Sequence, residues 1–206
     1  MKIRAISSIL MIAALSACGD GGGPRYLVES PPSALSVRSA VDTLLVRTVS
    51  LPVYAADEEI AFQDESGVIQ TTNLGLWADD PERATTLTIT RHLNAMSSAK
   101  VASEPWPLPQ PPEGVADVRI ENFIATNAGT FRISGQYFMG SEQPQPEINF
   151  ENPDEQPRQL PAPLPDRVKI FDISVSLVGE GPAAIAAAQA AALTELSEQM
   201  ARDLVR

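Results

Sequence analysis

The run ADVRIENFIATNAGTFRISGQYFM, residues 116–139, decides the fold. Ala116, Val118 and Ile120 alternate with Asp117, Arg119 and Glu121, the period-two signature of a strand with one face buried. Phe123 breaks that parity, which places a bulge near Asn122 or burial on both faces. Asn127-Ala128-Gly129 supplies turn residues, and Phe131, Ile133, Tyr137 and Met139 then alternate again. The stretch predicts an antiparallel hairpin of two strands, around which the rest of the chain has to be arranged.

Toward the C-terminus, Val168, Ile170, Phe171, Ile173, Val175 and Leu177 predict a further long strand with a parity switch at Ile170-Phe171. A helix is expected from about Pro182 to Leu204. Leu193, Leu196, Met200 and Leu204 share one face, Glu198 and Arg202 lie one turn apart, and the small residues of Ala183 to Ala192 permit close helix-to-sheet contact. Between hairpin and last strand, residues 141–165 hold seven prolines (Pro144, Pro146, Pro153, Pro157, Pro161, Pro163 and Pro165) with Glu142, Glu147, Glu151, Asp154 and Glu155. A loop of that length in a small domain is functional or disordered. The composition reads as an acidic insertion that offers the core few apolar groups, the alternative being a docking arm that orders on contact.

Toward the N-terminus, Pro105, Pro107, Pro109, Pro111 and Pro112 enforce an extended connection preceded by a short strand at Val101. Asp80-Pro81-Glu82 starts a helix that runs to about Met96: Asp80 caps the free amides, Pro81 fits the first helical position and Glu82 favours the positive end of the dipole. Its threonines, from Thr85 to Thr90, weigh against high helix propensity. Ile60 and Phe62, the turn Asp64-Glu65-Ser66-Gly67, and Val68-Ile69 read as a second hairpin. Leu44 to Leu51 reads as a strand ended by Pro52, which has no amide to donate. A short strand is expected at Arg25 to Val28, inside a Gly/Pro-rich tether spanning residues 18–40, with the folded domain at 41–206. The element order predicts an α+β fold: a single domain with a mixed sheet of about six to seven strands and two main helices packed against it.

The first residues carry a different message. Lys2 and Arg4 precede a mostly apolar run from Ile6 to Leu15, long enough for a secretory signal and too short to span a bilayer. Leu15-Ser16-Ala17-Cys18 follows and resembles the bacterial lipobox, in which the cysteine after the cut receives a diacylglyceryl group. Cys18 is the chain's one cysteine, so it is not part of a disulfide framework. Residues 1–17 are therefore expected to be a lipoprotein signal peptide and Cys18 the lipidation site, with two or three acyl chains giving a stable anchor. Removing Lys2 and Arg4 makes the formal charge of −11 two units more negative. Such a surface repels nucleic acid and anionic headgroups.

Candidate chemistry is sparse. His92 is the single histidine and sits within the first long helix, where a surface or internally satisfied role outweighs a ligand role. With no second histidine and no free thiol, the common zinc sites cannot be assembled, and no metal or cofactor is expected. No nucleophile elbow, P-loop or dinucleotide fingerprint is present. The clusters Asp57-Glu58-Glu59 and Asp79-Asp80 read as a solvated turn and a helix cap rather than a carboxylate pair. Trp77 and Trp106 are the two candidates for core anchors or partner contacts.

Several segments together resemble a known family, the PqiC-like auxiliary lipoproteins of ABC-type, MCE-associated transport systems. Val49-Ser50-Leu51-Pro52-Val53-Tyr54 is similar to the family's Leu-Pro-x-Tyr segment, and Leu76-Trp77-Ala78-Asp79, through Pro81 to Leu87 and Leu93, to its Trp-Ala-containing helix start. Glu104-Pro105-Trp106 resembles its Pro-Trp, and Val118-x-Ile120-x-x-Phe123 its following strand. The resemblance spans about residues 26–206, with departures at Asp79-Asp80-Pro81 and in the enlarged 141–165 loop. It implies a non-catalytic periplasmic accessory subunit that helps MCE-domain proteins move lipid between the inner and outer membranes. Gly19, where an aspartate would mark inner-membrane retention in the enteric sorting rule, favours the outer membrane. Expected partners are an MCE-domain protein, the membrane itself and a second copy of the chain, but not nucleic acid. A lipid carrier with its own apolar cavity is the alternative, and a hydrolase using acid residues the weakest reading.

Overall fold

The computed structural model describes residues 23–141 and 162–205. The elements run β1 (Arg25–Tyr26), β2 (Thr43–Val46), α1 (Val53–Ala56), β3 (Glu59–Gln63), β4 (Ile69–Trp77), α2 (Pro81–Met96), β5 (Lys100–Ser103), β6 (Gly114–Ala125), β7 (Thr130–Ser141), β8 (Arg167–Ser176) and α3 (Gly181–Asp203).

The hairpin of β6 and β7 is the centre of the sheet, registered from Gly114↔Ser141 to Ala125↔Phe131. Between Ile120↔Gly135 and Asn122↔Ser134, Glu121 is the extra residue of a bulge. A side chain at position 135 would collide with the carbonyl oxygen of Arg119, which fixes glycine there. The bulge switches the face of Phe123, which packs edge-on against Phe131 with ring centroids 5.2 Å apart. The parity break in the sequence therefore has the cause expected of it.

β8 adds antiparallel to β7, and its other edge is unpaired among the described residues. The far edge of β6 is shared by two short branches. Near its start it pairs in parallel with β2 (Leu44↔Gly114), which carries β5. At its end it pairs in parallel with β3 (Phe62↔Ala125), which carries β4 and then β1. A twelve-residue strand facing strands of four and five residues has room for both branches. The sheet therefore forks, and a single bridge, Ser50↔Arg119, spans the gap.

Both long helices pack on one face of the sheet. Ile89, Leu93 and Met96 of α2 and Leu193, Leu196 and Met200 of α3 close the core over Val118, Ile133 and Phe171. Asp80 caps α2 by accepting the Arg83 amide at 2.7 Å, with Pro81 in the first turn. The threonines that lower its propensity are buried and mostly paired. Thr86 accepts the Val49 amide at 2.9 Å and donates to the Glu82 carbonyl, and Thr90 donates to the Thr86 carbonyl. Tertiary packing overrides propensity in this helix.

The fold class read from the sequence holds, with β1 as an eighth strand, and three boundaries shift. The ladder expected over Leu44 to Leu51 ends at Val46, and residues 47–51 cross the fork before α1. The described chain is already packed at Pro24, well before residue 41. Its N-terminal segment runs along α3 and past the end of α2: Ser33 donates to Glu198 at 2.6 Å, Val37 to the Met96 carbonyl at 2.7 Å and Ala40 to the Leu204 carbonyl at 2.8 Å. A Gly/Pro-rich composition marked this segment as free, but its backbone groups find partners on the helices. Residues 142–161 of the acidic loop lie outside the described residues. Its closing part does not behave as a bystander, because Leu164 is fully buried in the core and exchanges hydrogen bonds with Ser141.

Candidate functional site

The expected lipidation site, Cys18, lies outside the described residues together with the signal segment. Of the segments that carried the family resemblance, Ser50–Tyr54, the start of α2 and the β6 strand meet at the fork in the sheet. Tyr54, at the end of Leu51-Pro52-Val53-Tyr54, accepts the Phe123 amide through its hydroxyl at 3.2 Å. The Leu51 amide donates to Glu82 at 3.2 Å, and the Ile120 amide to the Ser50 carbonyl at 2.9 Å. Trp77 is buried at the end of β4, its amide on the Glu58 carbonyl and its own carbonyl accepting Arg25 at 3.1 Å. Chain segments distant in sequence thus form one joint where the sheet divides, and Trp77 is a core anchor.

Trp106 is different. It is half-buried, stands apart from the core, and donates its indole N–H to the Gln110 carbonyl at 2.7 Å, closing its own proline-rich loop.

His92 is neither exposed nor satisfied: it is 5% exposed, and its Nε2 has no partner among the described residues. Burial and the neighbouring Arg91 hold its pKa below the ordinary value, with Glu198 opposing. The imidazole is therefore neutral at neutral pH. No group of three or more His, Cys, Asp or Glu capable of holding a metal occurs among the described residues. The half-buried Asp117 and the exposed Asp172 are engaged by Arg119 and Arg132 in two-pronged pairs. Tyr137 donates to Asp203 at 2.7 Å, and burial together with that carboxylate raises the phenol above its usual range.

Concave surfaces among the described residues include three that matter for function. A cleft of about 140 Å³ lies between Tyr26–Val28, Trp77 and α2, with the buried side-chain oxygen of Gln189 at its wall unpartnered among the described residues. A groove of about 520 Å³ crosses the helix-free face of β6, β7 and β8, where the Arg119 guanidinium lies 4.9 Å from the centre of the Phe138 ring and Val168 is exposed. A third, of about 430 Å³, opens at the end of the sheet where β3, β6 and β8 finish, lined by Phe62, Leu177, Pro182 and Ile185. Val178 beside it is 89% exposed, and Val68 and Ile69 on the neighbouring hairpin are exposed as well. The sequence reading passed over this apolar end. Its signal was available: Val68-Ile69 follows a polar turn directly, and Leu177-Val178 precedes Gly179-Glu180-Gly181, so both pairs sit at loop tips. No helix of the described residues is long and apolar enough to cross a membrane.

The fold and its surfaces define a forked α+β domain with apolar grooves and no assembled catalytic group among the described residues. A family model described as an ABC-type transport auxiliary lipoprotein component matches residues 26–201, and the chain belongs to that family. Among solved structures, the chain is similar to an uncharacterized protein with a TM-score of 0.64 and 18% identity, covering 88% of this chain and 97% of that one. It is also similar to a Xanthomonas campestris protein of the family DUF330, with a TM-score of 0.56 and 16% identity, covering 86% and 90%. At these identities the likeness concerns the fold. A search of curated proteins finds no match to this chain.

Proposed function

We propose that this chain is a non-catalytic accessory subunit of an MCE/ABC-type lipid transport system. In this reading it is held to the outer membrane by acyl chains on Cys18 and faces the periplasm, where it contacts an MCE-domain protein. The observation that carries the reading is the family match over residues 26–201, joined to a lipobox seven residues before Arg25. Physical chemistry supports the non-catalytic part. The one histidine is buried and neutral, and the one cysteine is consumed by acylation. The exposed Asp172 is held by Arg132, which lowers its pKa rather than raising it toward that of a general acid.

The apolar groove of about 430 Å³ lies at the small end of the range for ligand sites, so a carrier role is the second reading. The groove is open on one side and formed by loop tips, whereas retention of a two-chain lipid requires enclosure. Purification of the acylated full-length chain from cells, with mass spectrometry of co-purifying proteins and extracted lipids, separates the two. An MCE-domain protein without stoichiometric phospholipid is the expected result. Stoichiometric phospholipid without any MCE-domain protein supports the carrier.

A further inference from the structure

The direction in which the chain enters β1 bears on which end of the domain an anchor at Cys18 would bring to a membrane. β1 pairs in parallel with β4, Arg25 opposite Leu76 and Tyr26 opposite Trp77. The Pro24 carbonyl accepts the Leu76 amide at 3.0 Å, and Gly23 lies against Gly75. The chain upstream of Arg25 therefore points toward the start of β4, which is the tip of the β3–β4 hairpin. Leu76 is level with Glu59, and Ile69 with Gln63, only four residues further along β3. At about 3.3 Å per residue, that is roughly 13 Å. Six residues from Cys18 to Gly23 span up to about 20 Å when extended. That length is enough for Cys18 to come level with the hairpin tip, toward which the chain at Pro24 and Gly23 is already directed.

Three loops meet at that end: Asp64–Val68, Thr126–Gly129 and Leu177–Gly181. They are neighbours, since Gly67 lies beside the Asn127 side chain. They present Val68, Ile69 and Val178 to solvent around the groove lined by Phe62, Leu177 and Ile185. Exposed apolar side chains at loop tips, on the side from which an acyl anchor arrives, suit the boundary between lipid headgroups and acyl chains. Asp64, Glu65 and Glu180 at the same end disfavour an anionic surface.

We infer that this loop end is a membrane-docking surface, and that Val68, Ile69 and Val178 enter the headgroup region of a net-neutral leaflet carrying the Cys18 anchor. The opposite end, where β5 begins and α3 finishes, is then presented to the periplasm. The inference rests on the proposed acylation of Cys18.

The test uses the acylated full-length protein, in which Cys18 is blocked and a single new thiol is the labelling site. Environment-sensitive fluorophores are placed by Val178→Cys, Val68→Cys and, at the opposite end, Lys100→Cys. Each protein is reconstituted in vesicles of phosphatidylethanolamine and phosphatidylcholine containing a spin-labelled lipid quencher. Quenching severalfold stronger at 178 and 68 than at 100 is expected, and replacing half of the lipid by phosphatidylglycerol weakens it. Flotation of the vesicles and the intact mass of the protein are read in parallel. Protein that floats with its acyl mass but shows equal or reversed quenching overturns the docking surface alone and leaves the loop tips to a protein partner. Protein lacking the acyl mass that fails to float overturns the anchor and the docking surface together.

Discussion

The single histidine makes the acid sensitivity of this domain a one-residue experiment. His92 is buried with Nε2 unpartnered among the described residues, and its folded pKa is held below the ordinary value by burial first and Arg91 second. The unfolded chain binds a proton at His92 near pH 6.5, whereas the folded chain resists it until lower pH. The unfolded state therefore holds more protons just below pH 6.5, and stability falls as pH falls through that region. The limit for one group is about 1.4 kcal/mol per pH unit, so the loss between pH 6.5 and 5 is at most about 2 kcal/mol. At roughly 2–4 °C per kcal/mol for a domain of this size, the midpoint drops by up to about 8 °C. The carboxylates with lowered pKa values, Asp64, Asp172 and Glu198, contribute stability that is lost only at more acid pH, below the unfolded carboxylate range. Thermal unfolding of the full-length protein in nonionic detergent, scanned from pH 7.5 to 5, measures the slope. His92→Leu removes both the proton and the orphaned nitrogen. Its profile is expected to be flat over this window and to lie above wild type at pH 5. A flat wild-type profile, or a slope that survives in His92→Leu, would refute the reasoning.

Other outcomes follow from particular contacts. Leu164→Ala empties a fully buried site at the close of the acidic loop and should cost about 2–5 kcal/mol by denaturant titration; a change under 1 kcal/mol would return that end of the loop to a peripheral role. Gly135→Ala forces a methyl group onto the Arg119 carbonyl opposite the bulge, so a loss of about 1–3 kcal/mol or more is expected, with Gly129→Ala, whose surroundings are open but whose φ is 73°, as the comparison for backbone strain alone. Cys18→Ala should abolish incorporation of a palmitate analogue and release the protein from membranes; label persisting on the variant would place the anchor elsewhere.

The sequence was most legible where local chemistry and tertiary packing agree. The β6–β7 hairpin, the bulge after Ile120 and the Asp80-Pro81 helix start each have a mechanism written within a few residues. Less could be read where partners are distant. Nothing local announces that residues 25–40 pack along α3, because the Ser33, Val37 and Ala40 partners lie 165, 59 and 164 positions on, at Glu198, Met96 and Leu204. Leu164 was hidden in the same way, as one apolar residue inside a proline-rich acidic run. The candidate site divided similarly: Trp77 stood open between a core and a partner role, and the joint of Ser50, Leu51 and Tyr54 with Glu82, Ile120 and Phe123 appears only when the fork in the sheet is seen. The apolar loop end depended on which strands finish together, which no single window of sequence contains.

The proposed mode of action is contact with a protein of the transport system. Photo-crosslinking in living cells tests it most directly, with a photoreactive amino acid at Ile170 on the exposed β8 edge, at Val53 on α1 and at Lys100 on the end facing away from the anchor. An adduct with an MCE-domain protein from at least one of these positions, absent at the loop tip Val178, is the expected result. Absence of any such adduct from all positions, together with stoichiometric phospholipid in the purified chain, would contradict the account.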